Sequence, residues 1–402
     1  MKKTKHCFLS LCLILLCFSL LSCQALSQKP ETETEKDIQF AESNTAEPLF
    51  KTMSSNNYFD VTDFAIYAVD DNNASKKSTP VVCFSYIPNV FELRLFDNAT
   101  MFRHSNETFP DLSIETDETL ACLEGLSNIK PLRVLKPESD QPDAVLSNFS
   151  KQFGIAYTFR FIHNVERNTA DISIPKQTAA YDFLISRLTE SDTYYVCDKS
   201  TLTVFEVAKE DLAFLEKAPE DWYDTSIYQT HIGFVHRIEI DIKNGTTAGV
   251  CGVTNVILEH RNTDQNGTVL RPREVIAAGP EAILQVTARY KAEPTVISHT
   301  LKYRQFYAGI LKATLQEVVS DASRQEQLKN ETPEMILRMV LRCDGQQKTL
   351  EYRFFADNSV LINDVYVGKL TDGQISVLIS NVGIMLSPDT TEKDLIDLWN
   401  PI

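Results

Sequence analysis

From residue 58 onward the chain alternates between two hydrophobic periods, and the alternation predicts its architecture. Over 59–70, Val61, Phe64, Ile66, Tyr67 and Val69 read as a strand, and 81–86 with 91–96 read as a hairpin around Pro88-Asn89. The period then lengthens. Asp117-Glu118-Thr119-Leu120 opens a helix with acidic residues at its positive end, and Leu120, Leu123, Leu126 and Ile129 share one face. After Pro131, strands are expected at 156–162, 170–174, 193–196 and 202–207, closed by a short helix over 209–217.

The second half repeats this order. Strands are expected at 234–242 and 250–260, with Asn244-Gly245 and Asn266-Gly267 as turns. Leu301, Ile310, Leu311, Leu315 and Val318 predict a long helix over 299–320. Strands follow at 335–341, 350–355 and 360–368, then helices at 373–385 and 391–399 with Pro388 between them. Two strand-helix-strand halves in succession suggest duplication. The predicted fold class is α+β: two similar domains, 58–225 and 226–402, each a mostly antiparallel sheet with one principal helix packed on it.

The first 57 residues follow neither period. Lys2, Lys3 and Lys5 precede an apolar stretch of about 15 residues, within the range of a secretory signal and short for a membrane span. The stretch ends in Leu20-Leu21-Ser22-Cys23, so 1–22 reads as a lipoprotein signal peptide and Cys23 as the acylated first residue of the mature chain. Residues 23–57, with Lys29-Pro30-Glu31-Thr32-Glu33-Thr34-Glu35-Lys36, hold too little apolar surface to offset ordering entropy and read as a disordered tether. The expected location is the bacterial cell envelope, with the body outside the cytoplasm and lipid-anchored to a membrane through Cys23.

Charge and cysteine usage narrow the picture. Acidic residues number 55 against 39 basic, a formal charge of -16, which argues against nucleic acid as a partner and against electrostatic adhesion to anionic lipid. Beyond the signal and Cys23 stand Cys83, Cys122, Cys197, Cys251 and Cys343, widely spaced and without a Cys-x-x-Cys pair. Their apolar surroundings predict buried free thiols, with disulfides open in an oxidising compartment.

Catalytic and cofactor motifs are sparse. The sequence has no His-Glu-x-x-His helix, phosphate loop, Gly-x-Ser-x-Gly elbow or dinucleotide fingerprint, so no catalytic, metal or cofactor residues are assigned. His231 and His236 lie five apart, and Glu259-His260-Arg261 is an isolated polar triplet at a predicted strand end. Asp70-Asp71-Asn72-Asn73 has calcium-like ligand types without the Gly and distal Glu of a calcium loop, and reads as a solvated turn. Asn-x-Ser/Thr triplets, among them those at Asn98, Asn106, Asn148, Asn244, Asn266 and Asn330, fall in polar segments expected to be exposed loops. Asp221-Trp222-Tyr223-Asp224, after Pro219, reads either as a helix end packed on the sheet or as a partner-binding patch carried by Trp222 and Tyr223.

Several short aromatic motifs carry a resemblance. Tyr194-Tyr195-Val196, Val204-Phe205, Asp211-Leu212 and Asp221-Trp222-Tyr223-Asp224, with Phe306-Tyr307 and Tyr352-Arg353-Phe354-Phe355 in the second half, resemble an uncharacterised family of bacterial surface lipoproteins with duplicated domains of unknown function. Phe153-Gly154-Ile155 stands where that family usually has Tyr-Gly-Leu. The family is similar to the extracytoplasmic auxiliary proteins of gliding-motility-type ABC transporters. The resemblance implies a non-enzymatic binding protein beside an ABC transporter permease. A free-standing lipoprotein binding an envelope or host component is the alternative, and an envelope hydrolase a weaker one.

Overall fold

The computed structural model describes residues 38–43, 48–69, 78–86, 102–104, 112–168, 170, 174–228, 230–243, 253–297, 300–343 and 345–398. Its strands form two nine-stranded sheets, antiparallel throughout. The first is built from β1 (Phe40–Glu42), β2 (Val61–Val69), β3 (Ser78–Tyr86), β4 (Phe102–His104), β5 (Arg133–Pro137), β6 (Tyr157–Arg167), β7 (Pro175–Ile185), β8 (Thr193–Asp198) and β9 (Val204–Ala208). Helices α1 (Thr116–Asn128) and α2 (Pro142–Phe153) flank β5 in sequence. The spatial order is β1-β5-β9-β8-β7-β6-β2-β3-β4.

The second sheet holds β10 (Val235–Ile242), β11 (Asn255–Thr263), β12 (Ile283–Arg289), β13 (Thr295–Ile297), β14 (Leu315–Val318), β15 (Met335–Cys343), β16 (Gln346–Phe354), β17 (Ser359–Ile362) and β18 (Val365–Leu370). Its helices are α3 (Pro272–Ala278), α4 (Thr300–Leu311), α5 (Ala322–Leu328) and α6 (Gln374–Leu386). The order is β13-β12-β11-β10-β15-β16-β17-β18-β14.

The two sheets share one topology. A leading meander (β2-β3-β4; β10 to β13) is followed by a helix (α1; α4), and the next strand crosses to the far side of the sheet (β5, with only β1 beyond it; β14, the edge itself). A second helix follows (α2; α5), and a four-stranded meander (β6 to β9; β15 to β18) fills the gap. Its first strand pairs with the first strand of the leading meander, and its last with the crossing strand. The match extends to packing. Beneath α2 the far face of the first sheet carries a small core of Leu135, Phe149, Leu184, Cys197 and Val204. Beneath α5 the second carries Leu328, Phe355, Leu361 and Tyr366.

Local chemistry explains most elements. Glu115 caps α1 by accepting from Asp117 N, and Thr119, Leu123 and Leu126 bury one face. In β8, Tyr194 and Val196 enter the main core while Tyr195 and Cys197 face α2, so the strand is buried on both sides. Cys83, Cys197 and Cys343 are buried, Cys122 is half-buried, and all four are free thiols. Burial pushes the Cys197 thiol up to about 12. Cys251 lies outside the described residues.

Several expectations are corrected. The helix predicted over 299–320 stops at Leu311, because Leu315 and Val318 belong to β14, paired with Leu370 and Gly368 of β18. Gly368 has φ +130° at that crossing, where a Cβ would overlap the Glu317 carbonyl oxygen. The helix predicted over 391–399 is a 3-10 turn at Glu392–Asp394. Between β5 and β6, where the period predicts only strands, buried Val145 and Phe149 with half-buried Phe153 form the apolar stripe of α2. The hairpin partner at 91–96 lies outside the described residues.

The tether over 23–57 also ends earlier than its composition suggests. Phe40–Glu42 pairs with β5, and Leu49, Phe50 and Met53 are buried in the main core. Phe50 packs against Phe159, Phe161, Tyr181 and Phe183. A few well-placed apolar residues anchor a polar stretch once the sheet supplies a surface for them.

Candidate functional site

Cys23 lies outside the described residues, as does the Asp70-Asp71-Asn72-Asn73 turn. Trp222 and Tyr223 do not form an exposed patch: they are 0% and 4% exposed. The backbone of Tyr223 bridges to Ile114, and the Trp222 ring lies against Phe84 with Lys217 Nζ 5.4 Å over it. These aromatics begin the strap that joins the halves. Further along it, Tyr228 packs on Tyr352 and Tyr307 Oη donates to Thr230 O at 2.6 Å. The Trp222 and Tyr223 interface reading is therefore corrected to an internal one, since rings flanked by acidic residues in sequence are covered here by the first sheet.

Two buried polar centres escaped the sequence reading. In the first half, His163 on β6 is fully buried. Its Nε2 donates to Asn57 O at 2.9 Å, which leaves Nδ1 to accept from Thr52 Oγ1 at 2.8 Å. Tyr181 Oη completes the chain 2.8 Å from Thr52 Oγ1 and accepts from Thr52 N at 3.0 Å. Burial lowers the His163 pKa, partly opposed by the Asn57 carbonyl and Asp60, so the ring is held neutral.

Beside it, Arg167 makes a two-pronged ion pair with Asp60 at 2.5 Å and stacks over Tyr86. Asn164 Nδ2 donates to Asp60 Oδ1 and Thr62 Oγ1 at 2.8 and 2.9 Å. Bulges in β2 and β6 and the positive φ of Asp63 turn these polar groups inward. The result ties the 52–60 segment onto the sheet.

In the second half, His260 lies within β11, not at a strand end, and its Nε2 pairs with the Tyr303 hydroxyl on α4. Burial, reinforced by His236 nearby, pulls the His260 pKa down to about 3. Next to Tyr303, the buried Lys302 ammonium donates to Ser387 O at 2.6 Å, Thr390 O at 3.1 Å and Ile384 O at 3.3 Å. It thereby caps the carbonyl end of α6. These centres hold elements together. Neither histidine lines the clefts described next, and among the described residues no group of three or more His, Cys, Asp or Glu could hold a metal ion.

Among the described residues, an open concavity lies at one end of the second sheet. A cleft of about 520 Å³ is lined by Val253, Thr254, Asn255, Ile257, Arg289, Tyr290, Lys291 and Ala292. Lys291 Nζ sits 4.8 Å over the Tyr290 ring, and Arg289 pairs with Glu259 at 3.0 Å. Asn255 Nδ2 donates to Asp241, itself paired with Arg338. The lining is cationic, aromatic and amide-bearing, without a carboxylate of its own, in a chain with a large acidic excess. Such a lining offers cationic, aromatic-face and amide contacts to a ligand. A second cleft, about 500 Å³, lies at 140–144 by the start of α2.

No family profile, curated protein or solved structure matches this chain. Among the described residues no helix is long and apolar enough to cross a membrane.

Proposed function

We propose that the protein is a lipid-anchored extracytoplasmic binding protein of a bacterial envelope, acting as an accessory component beside an ABC transporter. The observation that carries this reading is Leu20-Leu21-Ser22-Cys23 at the end of a basic-then-apolar leader. It is supported by the shared topology of the two sheets, which suits the duplicated-domain lipoproteins that the chain resembles. The carboxylate-free cleft at 253–257 and 289–292 is the favoured contact surface. No bond-making or bond-breaking step is assigned to it.

The test has two parts. The wild-type protein is expected to incorporate labelled palmitate and to enter the detergent phase of Triton X-114, whereas Cys23→Ser stays unlabelled and aqueous. Crosslinking in intact membranes is expected to recover a permease. Recovery of an envelope polymer without a permease would favour the free-standing binder, a reading the cationic cleft lining also supports. A Cys23→Ser protein that keeps full biological activity after release from the membrane would overturn the anchored role.

A further inference from the structure

The N-terminal edge strand fixes where an anchor leaves the body. Phe40 lies opposite Pro137 and Glu42 opposite Leu135, so the chain enters the first sheet at the Pro137 end of β5. Four contacts hold it there. Ile38 O accepts from Asn148 Nδ2 at 2.6 Å, Gln39 O from Glu138 N at 3.1 Å, and Ser43 N donates to Val134 O at 2.8 Å. The Phe40 ring packs against Phe149 and Phe153 of α2. Asn148, one of the Asn-x-Ser/Thr triplets expected in an exposed loop, is thus buried as a bracket for this strand.

The same end of the sheet carries the turn between β8 and β9, to which β5 is tied by Lys136 Nζ donating to Thr203 Oγ1 at 2.7 Å. The opposite end carries the turn between β7 and β8, closed by Thr189 N donating to Thr193 O. Leu132, just before β5, and Leu188, just after β7, stand there 58% and 38% exposed. The six residues of β8 separate the two ends by about 20 Å.

Only 14 residues, Gln24 to Asp37, lie between Cys23 and Ile38. A polar segment of that length has a root-mean-square span of about 20 Å. That is comparable to the radius of gyration, about 20 Å, of a compact chain of this size, so the entry point of β1 lies nearer the anchor than the far end of the sheet does.

We propose that β1 orients the body on the bilayer, with the 138–143 loop and the 199–203 turn toward the lipid head groups and the end bearing Leu132 and Leu188 turned away. The inference rests on reading Cys23 as lipidated. The membrane-facing end holds Glu138, Asp140, Asp143 and Asp198 against Lys136 and Lys199 around β5 and β8, and Asp60 and Glu166 against Arg167 and Lys176 at the β6–β7 hairpin of the same end, a net negative balance. It therefore faces the bilayer without adhering to anionic lipid, and orientation comes from the strand rather than from charge.

The full lipoprotein, reconstituted in phosphatidylcholine vesicles doped with rhodamine lipid, tests this. A donor dye is clicked to p-azidophenylalanine at Ser200 or, separately, at Glu190. Energy transfer to the lipid is expected to be at least twofold greater from position 200. Phe40→Asp, which removes the ring from α2 and frees β1, is expected to shrink the difference. Equal or reversed transfer in vesicle-bound protein overturns the orientation alone. Failure to float with the vesicles overturns the anchor and the orientation together.

Discussion

The two halves of this chain share a strand order but fill it with different side chains. The first sheet packs an aromatic interior, with Phe64 stacked on Phe84 and Phe159 beside Phe161 and Phe183. The second lines its central strands with aliphatic residues, Ile238, Ile240, Val256, Leu258, Leu337, Met339 and Leu341, and takes its aromatics mainly from Tyr303, Phe306 and Tyr307 of α4 and Tyr352 and Phe354 of β16. Their free faces differ as well. On the second sheet, Arg338 bridges Asp241 and Glu351, and Arg353 bridges Glu351 and Asp364. On the first, an added strand and Phe40 extend the cover begun by α2. Topology here depends on alternation and connection length; the interior needs only matching volume, which either residue class can supply. The buried cluster nonetheless runs from one half into the other through Trp222, Tyr223, Ile227 and Tyr228.

The largest expected effect compares the equivalent small cores. Phe149→Ala should cost about 4 kcal/mol and Leu328→Ala about 3 kcal/mol, from lost transfer energy plus cavity. Because the main core is continuous, both should shift one cooperative urea transition. Two separable transitions, one moved by each variant, would show that the halves fold independently.

Acid should separate the halves next. An unfolded histidine titrates near 6.5, and His260 in the fold only near 3. Between these values the unfolded chain holds a proton that the native state refuses, so stability present above the unfolded pKa is lost as pH falls. By pH 4 the loss from His260 is on the order of 3 kcal/mol. His163 contributes with the same sign. Urea titrations between pH 7 and 4 should show a shallower decline for His260→Gln, and an unchanged slope would refute its role.

A smaller effect concerns the ammonium clamp of the second half. Lys302→Met leaves the Ser387 and Thr390 carbonyls short of a donor and should cost about 2 kcal/mol, with faster hydrogen exchange at the end of α6. The corresponding segment after β9, the 3-10 turn Glu210–Glu216, is held by Leu212, Phe214 and Leu215 and should be unaffected. Accelerated exchange in both segments would mean that the clamp acts on the whole molecule.

Much of this architecture is legible in sequence because period and turn chemistry are local. Val61 to Val69 alternates, Leu123 and Leu126 mark a helical stripe, and the order of elements exposes the repeat. The α2 signal was present too, in Pro142 followed by Val145, Phe149 and Phe153, with Gly154 at φ +66° after it. Other features had no local signature. Leu315 and Val318 fit a helical stripe as well as a strand, and only β18 alongside selects the strand. The histidine centres join residues more than forty positions apart, so neither neighbourhood announces them.

The sequence by itself determined the basic-then-apolar pattern before Cys23, the acidic balance, the α+β class and the two-part order, since each depends on composition or on periods of a few residues. Only the tertiary structure decided that Trp222 and Tyr223 are covered, that Phe40–Glu42 docks on β5, and that Asn148 faces inward to hold it. Burial is a property of what lies opposite a side chain, and what lies opposite is set by strands brought together from distant parts of the chain.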